Sequence, residues 1–187
     1  MRRGAIGLGL ALATGGVALS ASASGWPMTG HMAGHMMLVA VAAPVLAWGL
    51  AGRVSFGSPL AMSVVELVAV WGWHLPGMRR WADAFAPAMA VEQVTFLAAG
   101  VALWAPALAR PAAGVGALLL TSMHMTLLGA LIGLAPRPLF HLHGRGVDAL
   151  ADQQLGGVVM LVVGGTAYLL GGLALLGGLL RQREVLA

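Results

Sequence analysis

HMAGHMMLVAVAAPVLAWG, His31–Gly49, begins with two imidazoles and three thioethers and continues as an almost uninterrupted apolar run. A run of this length is what a membrane-spanning helix needs. The polar head therefore stands where a span begins, and its donors predict a soft-metal site facing water on one side of a bilayer.

The surrounding composition agrees. Charged residues make up 9% of the 187 residues and hydrophobic ones 59%, with a mean hydropathy of +0.90. Apolar stretches of spanning length recur almost end to end and leave little chain for a separate soluble core. The expectation is an integral membrane protein folded as a single all-α, membrane-embedded helical domain over 1–187. Net charge is +4, but all ten basic residues are arginines scattered through connectors and termini, a pattern that does not argue for nucleic acid. Cysteine is absent, which excludes disulfides, iron–sulfur clusters and thiolate copper sites together.

Six apolar segments fall at roughly 4–24, 32–51, 59–75, 88–106, 113–135 and 155–180. They predict a polytopic bundle of about six transmembrane helices. The third is short and contains Glu66, although its tail VELVAVWGWHLP carries two tryptophans suited to an interface. The first has two readings: MRR, an apolar run and then SASASG also describe a cleavable signal, so 1–24 is a first span or a signal-like segment, and the count becomes five if it is removed.

Placing the N-terminus in the cytoplasm puts Arg2, Arg3, Arg53, Arg110, Arg181 and Arg183 inside, against Arg79, Arg80, Arg137 and Arg145 outside. In this orientation His31 and His35 open span two, His74 closes span three, Glu92 and Gln93 open span four, and Asp152, Gln153 and Gln154 precede span six. All of them then gather near the outer face. Ionisable groups at membrane depth are costly unless paired, hydrated or bound to a metal, and a shared outer site accounts for the gathering.

His31 and His35 are four apart, so on a helix their imidazoles lie on one face. Met32 and Met36 repeat the interval one residue on, with Met37 beside them and Met28 just before. Thioether and imidazole together favour exchangeable Cu(I) over permanently held zinc. Packing is the competing reading for Met32, Met36, Met37, Met123 and Met125. His124 lies near the middle of span five between two methionines, and a neutral histidine bonded to a carbonyl or hydroxyl is as good a reading as a ligand. His141 and His143, in PLFHLHGRG, read as an incidental loop pair, with capture of incoming metal as the rival. Glu66, Glu92 and Asp152 can orient imidazoles, or ligate through oxygen if the metal is iron, manganese or zinc; Asp152 in ADQQLGG is also a candidate N-cap of the last helix. The glycine-rich runs GVVMLVVGG and LLGGLALLGG offer surfaces for close helix approach.

Enzyme signatures are missing. There is no phosphate-binding glycine loop with its lysine, no HExxH and no G-x-S-x-G, and lysine does not occur at all. The expected role is not enzymatic.

Four motifs in order, HMAGHMMLVAVAAPVLAWG, WGWHLP, VEQVTFLAAGVALWAP and DQQLGGVVMLVVGG, resemble the CtaG family of cytochrome c oxidase assembly factors associated with caa3-type oxidases in bacteria. The resemblance runs from about Gly30 to Tyr168. It implies that His31, His35, His74 and Asp152 match recurring polar positions near the outer face of a bacterial plasma membrane protein, and that the role is to help copper reach an oxidase subunit. The chain departs from the family pattern where Gln93 replaces a frequent histidine and Leu161 a tryptophan, and many members carry a longer N-terminal region with an additional span.

The mechanism expected on this basis is reversible Cu(I) binding by His31 and His35, completed by Met32, Met36 or His74, with His124 as a deeper candidate and Glu92, Gln93 and Asp152 behind the ligands. Stepwise exchange then permits receipt from a periplasmic donor and handover to the oxidase, within membrane lipid. Two alternatives remain: a structural assembly factor without bound metal, and a haem-binding electron carrier with histidine axial ligands.

Overall fold

The computed structural model describes residues 2–22, 25–54, 56–140 and 148–186, and among them it is helical with no strand. The helices are α1 (Arg2–Ser22), α2 (Pro27–Met36), α3 (Ala43–Gly49), α4 (Pro59–Trp73), α5 (Pro76–Ala84), α6 (Ala86–Ala109), α7 (Pro111–Gly133), α8 (Ala149–Val159) and α9 (Gly165–Leu186). A π-helical turn, Met37–Ala42, joins α2 to α3, and another, Met160–Gly164, joins α8 to α9. These two composite rods, together with α1, α6 and α7, are long and apolar enough to cross a bilayer.

Helix starts follow local chemistry. Proline occupies the first turn of α2, α4, α5, α6 and α7, where its missing N–H costs no intrahelical bond. Ser58 accepts from Ala61 N at 3.1 Å to cap α4, and Asp148 accepts from Leu150 N at 3.0 Å to cap α8.

The third expected span, 59–75, forms as α4, and the chain bends sharply after it. At 1.5 Å per residue, the 15 residues of α4 extend only about 22 Å, short of a hydrocarbon core of about 30 Å. Pro76 forces Leu75 into an extended conformation, which ends α4, and α5 leaves at an angle of 70°. The residues that follow the segment, Pro76–Ala84, form a short amphipathic helix. It buries Arg79 and Ala82 and exposes Leu75, Met78 and Trp81, with Trp81 stacked on Trp73 at a centroid distance of 6.0 Å.

Close backbone approach sets the packing. A Cβ on Gly34 would run into the Ser20 hydroxyl and the Gly16 carbonyl, so α1 lies directly on α2. A Cβ on Gly157 would stand 2.7 Å from the Gly129 carbonyl oxygen, which fixes α8 against α7. Exposed apolar side chains such as Leu8, Val68, Val94, Met123 and Leu170 face outward, as a hydrocarbon surround requires.

Candidate histidine site

The start of α2 is positioned by a residue far away in sequence. Asp152, in the first turn of α8, accepts from the backbone N–H of Met28 (2.8 Å) and of Thr29 (2.9 Å), while the Thr29 hydroxyl donates to the Asp152 carbonyl at 3.1 Å. Two amides without intrahelical partners are thereby satisfied by a carboxylate at a positive helix end. This clamp fixes α2 in height and rotation, and with it His31 and His35 one and two turns on.

Both imidazoles meet His74 at the end of α4. The His31–His74, His35–His74 and His31–His35 ring centroids lie 5.6, 5.3 and 6.3 Å apart. Phe96 of α6 floors the cluster, stacked on His35 at 3.9 Å. Nδ1 of His74 donates to the Val70 carbonyl at 2.6 Å, so its Nε2 carries a lone pair. That Nε2 and both ring nitrogens of His35 are buried and have no hydrogen-bond partner.

Beside the rings lies an ion network that membrane burial makes consequential. Arg79 is 2% exposed. Its Nη1 donates to Glu92 Oε1 at 2.5 Å and stands 3.0 and 3.1 Å from the two ring nitrogens of His31. Its Nε and Nη2 donate to Asp83 at 3.0 and 2.6 Å. Glu92 Oε1 is 3.8 Å from His31 Nε2. A charge in hydrocarbon persists only when paired in this way.

The residues fit a soft cation in one respect and not in another. Orphaned buried nitrogens on His35 and His74 are donors in want of a partner, and a pair of imidazoles suffices for Cu(I), which accepts low coordination numbers. Among the described residues, however, no three His, Asp or Glu side chains stand preassembled around a metal position. A third ligand requires His31 to turn from Arg79.

Residues 5–182 match the family described as the cytochrome c oxidase caa3 assembly factor. The chain belongs to that caa3 assembly factor family. No curated protein and no solved structure matches it.

The other expected residues of this caa3 assembly-factor chain are placed as follows. Met32 and Met36 lie about 100° round α2 from the imidazoles and pack toward the last rod: Met32 Cγ would be 3.2 Å from a Cβ on Gly156, and Met36 Sδ 3.0 Å from one on Gly164. Glycines there leave room for the thioethers, so the structure does not bring them onto the ring cluster. His124 is buried in α7 with neither nitrogen bonded and forms no ring pair with the other three. Gln93 is buried next to Glu92 on α6 and lines a groove between α1 and α6 with Val17, Ser20 and Val94. Asp152 is corrected: it neither touches an imidazole nor caps its own helix, which Asp148 does, but caps α2. Gln153 ties the end of α7 to the next segment, accepting from Leu139 N and donating to the Ile132 carbonyl. His141 and His143 lie outside the described residues.

A second polar group occupies the membrane interior. Glu66 of α4 is bonded to the Tyr168 hydroxyl, which also stands 3.1 Å from the Val39 carbonyl; Trp104 Nε1 donates to the same carbonyl at 3.1 Å. Val39 lies in the π-helical turn, whose altered bonding pattern leaves a carbonyl open to side chains. Glu66 therefore belongs to the rod-to-rod packing and not to the histidines.

Sequence reasoning missed Arg79, Phe96 and Tyr168. An arginine in a connector reads as a topology signal, and only its four-residue spacing to Asp83 hinted at a fixed side chain.

Proposed function

We propose that this member of the caa3 assembly factor family assists oxidase assembly by holding Cu(I) transiently at His35 and His74, with His31 as the exchangeable third ligand. The observation that carries this reading is the set of buried, unpartnered nitrogens on His35 and His74, converging from α2 and α4. Copper here is cargo. Its ligands are neutral imidazoles whose exchange with a donor or an acceptor is stepwise and needs no covalent chemistry. The residues do the holding: Asp152 sets α2, the Val70 carbonyl orients His74, and Phe96 keeps water from the inner side of the rings.

The proposed setting is a bacterial plasma membrane with the N-terminus cytoplasmic, so that the site opens outward, toward a periplasmic copper donor and an oxidase subunit. Nothing in the arrangement calls for catalysis. One observation favours a second reading, a purely structural polar lock: Arg79 already engages His31 and Glu92.

The test is the copper content of caa3-type oxidase purified from cells in which the chain is replaced by a His35→Ala/His74→Ala variant expressed at wild-type level. The copper reading predicts oxidase with full haem and copper lowered to the level of the deletion. Oxidase with normal copper would favour the structural lock.

A further inference from the structure

The ligand set alone does not choose a metal, since imidazole suits zinc, iron and nickel as well as copper. With Met32 and Met36 packed toward the last rod, thioether softness does not make the choice either. What distinguishes this site is the fixed charge around it. One guanidinium, Arg79, touches the cluster directly, 3.0 Å from a ring nitrogen of His31, and it lies between two carboxylates, Glu92 and Asp83.

We infer that Arg79 is the specificity-determining residue of the site, admitting a monovalent cation and rejecting divalent ones by charge. The inference rests on the proposed copper function and deepens it.

The argument is a charge count in a low-dielectric setting. Around the three neutral imidazoles the fixed charges are Arg79 (positive), Glu92 (negative) and Asp83 (negative), a sum of minus one. Asp83 is 33% exposed in its side chain, so water screens part of its charge, and the buried inner pair of Arg79 and Glu92 sums to zero. With Asp83 counted, a monovalent ion brings the cluster to zero and a divalent ion to plus one; with the inner pair alone the sums are plus one and plus two, so on either count the divalent ion leaves one more uncompensated charge beside the guanidinium. Uncompensated charge at this depth is strongly unfavourable. Without the guanidinium two negative charges stand uncompensated near the imidazoles, and imidazole with carboxylate is a donor combination that Zn(II) takes. Arg79 is held too firmly to swing away at no cost, because three of its nitrogens are engaged and its carrier α5 is tethered through the Trp81–Trp73 stack.

The experiment measures Cu(I) and Zn(II) affinities of the purified full-length chain in nanodiscs, by competition with chromogenic chelators. Wild type is compared with R79K, R79Q, E92Q and the double variant R79Q/E92Q. The expected results are Cu(I) binding with little Zn(II) binding in wild type and R79K, and a rise of at least tenfold in Zn(II) affinity relative to Cu(I) in R79Q. In R79Q/E92Q the sum of minus one is restored and the ratio returns toward wild type. Should R79Q fail to fold, E92Q against R79Q/E92Q decides, since loss of the guanidinium in the E92Q background must again raise Zn(II) relative to Cu(I). An unchanged ratio in R79Q, or a double variant that behaves like R79Q, overturns the charge mechanism while leaving copper binding standing. Absence of Cu(I) binding in wild type overturns the copper reading itself.

Discussion

Asp152 reaches across 124 positions of sequence to bind the backbone amides of Met28 and Thr29. A charged acceptor on backbone N–H groups at a helix start contributes on the order of 2 kcal/mol. Asp152→Ala is therefore expected to lower the thermal midpoint in detergent by about 4–8 °C for a chain of this size. It should also loosen His31 and His35, read as faster hydrogen exchange at the first turn of α2. Asp152→Asn, which keeps one acceptor, should lose less. An unchanged midpoint in Asp152→Ala would mean that water caps α2 equally well. At this scale the sequence was partly legible. His31, His35, His74 and Glu92 were expected together because helical spacing and span ends put them on one face, and they are together. Asp152 was recognised as polar and near that face, but its partners are backbone atoms, which carry no sequence signature. Arg79 was read as a topology charge because exposed connector arginines are the norm; its burial depends on a bend in α4 and α5 that places a connector residue over the rings.

Among the elements, the rods and the bent third span behave differently. Spans expected at 32–51, 88–106 and 113–135 correspond to Pro27–Gly49, Ala86–Ala109 and Pro111–Gly133, since long apolar runs bounded by prolines leave few alternatives. WGWHLP closes α4 as its spacing predicts, with His74 at the C-cap, and its proline then turns the chain through 70°. The first π-helical turn is not legible in the sequence, because there the Val39 carbonyl serves side chains of other helices. Glycine contacts give this scale its prediction. A Cβ on Gly157 would lie 2.6 Å from Gly133 Cα and 2.7 Å from the Gly129 oxygen, both on backbone that cannot yield cheaply. Gly157→Ala should separate α7 from α8 and cost about 1–3 kcal/mol, the usual range for overpacking. Gly15→Ala, where a Cβ meets nothing within 4 Å, is the matched control and should leave the thermal midpoint unchanged or slightly raised. Equal behaviour of the two variants would show that the α7–α8 contact is softer than its geometry implies.

For the molecule as a whole, two polar centres are set into an apolar bundle by different logics. At one end, His31, His35 and His74 adjoin an ion network and keep unpartnered nitrogens. Deeper, Glu66 bonds the Tyr168 hydroxyl through Oε1, with Oε2 left unpartnered, and the group with Val39 joins α4, the π-helical turn and α9. Membership of the caa3 assembly factor family, over residues 5–182, covers both centres. The central claim is that the end cluster, and not the methionines or His124, holds copper. X-ray absorption of anaerobically purified, Cu(I)-loaded protein tests it most directly, with metal counted in parallel for wild type, His35→Ala and His74→Ala. The account predicts one copper per chain in a shell of nitrogen scatterers without sulfur, lost in each variant. Copper absent from wild type, or retained unchanged when either histidine is replaced, would contradict it.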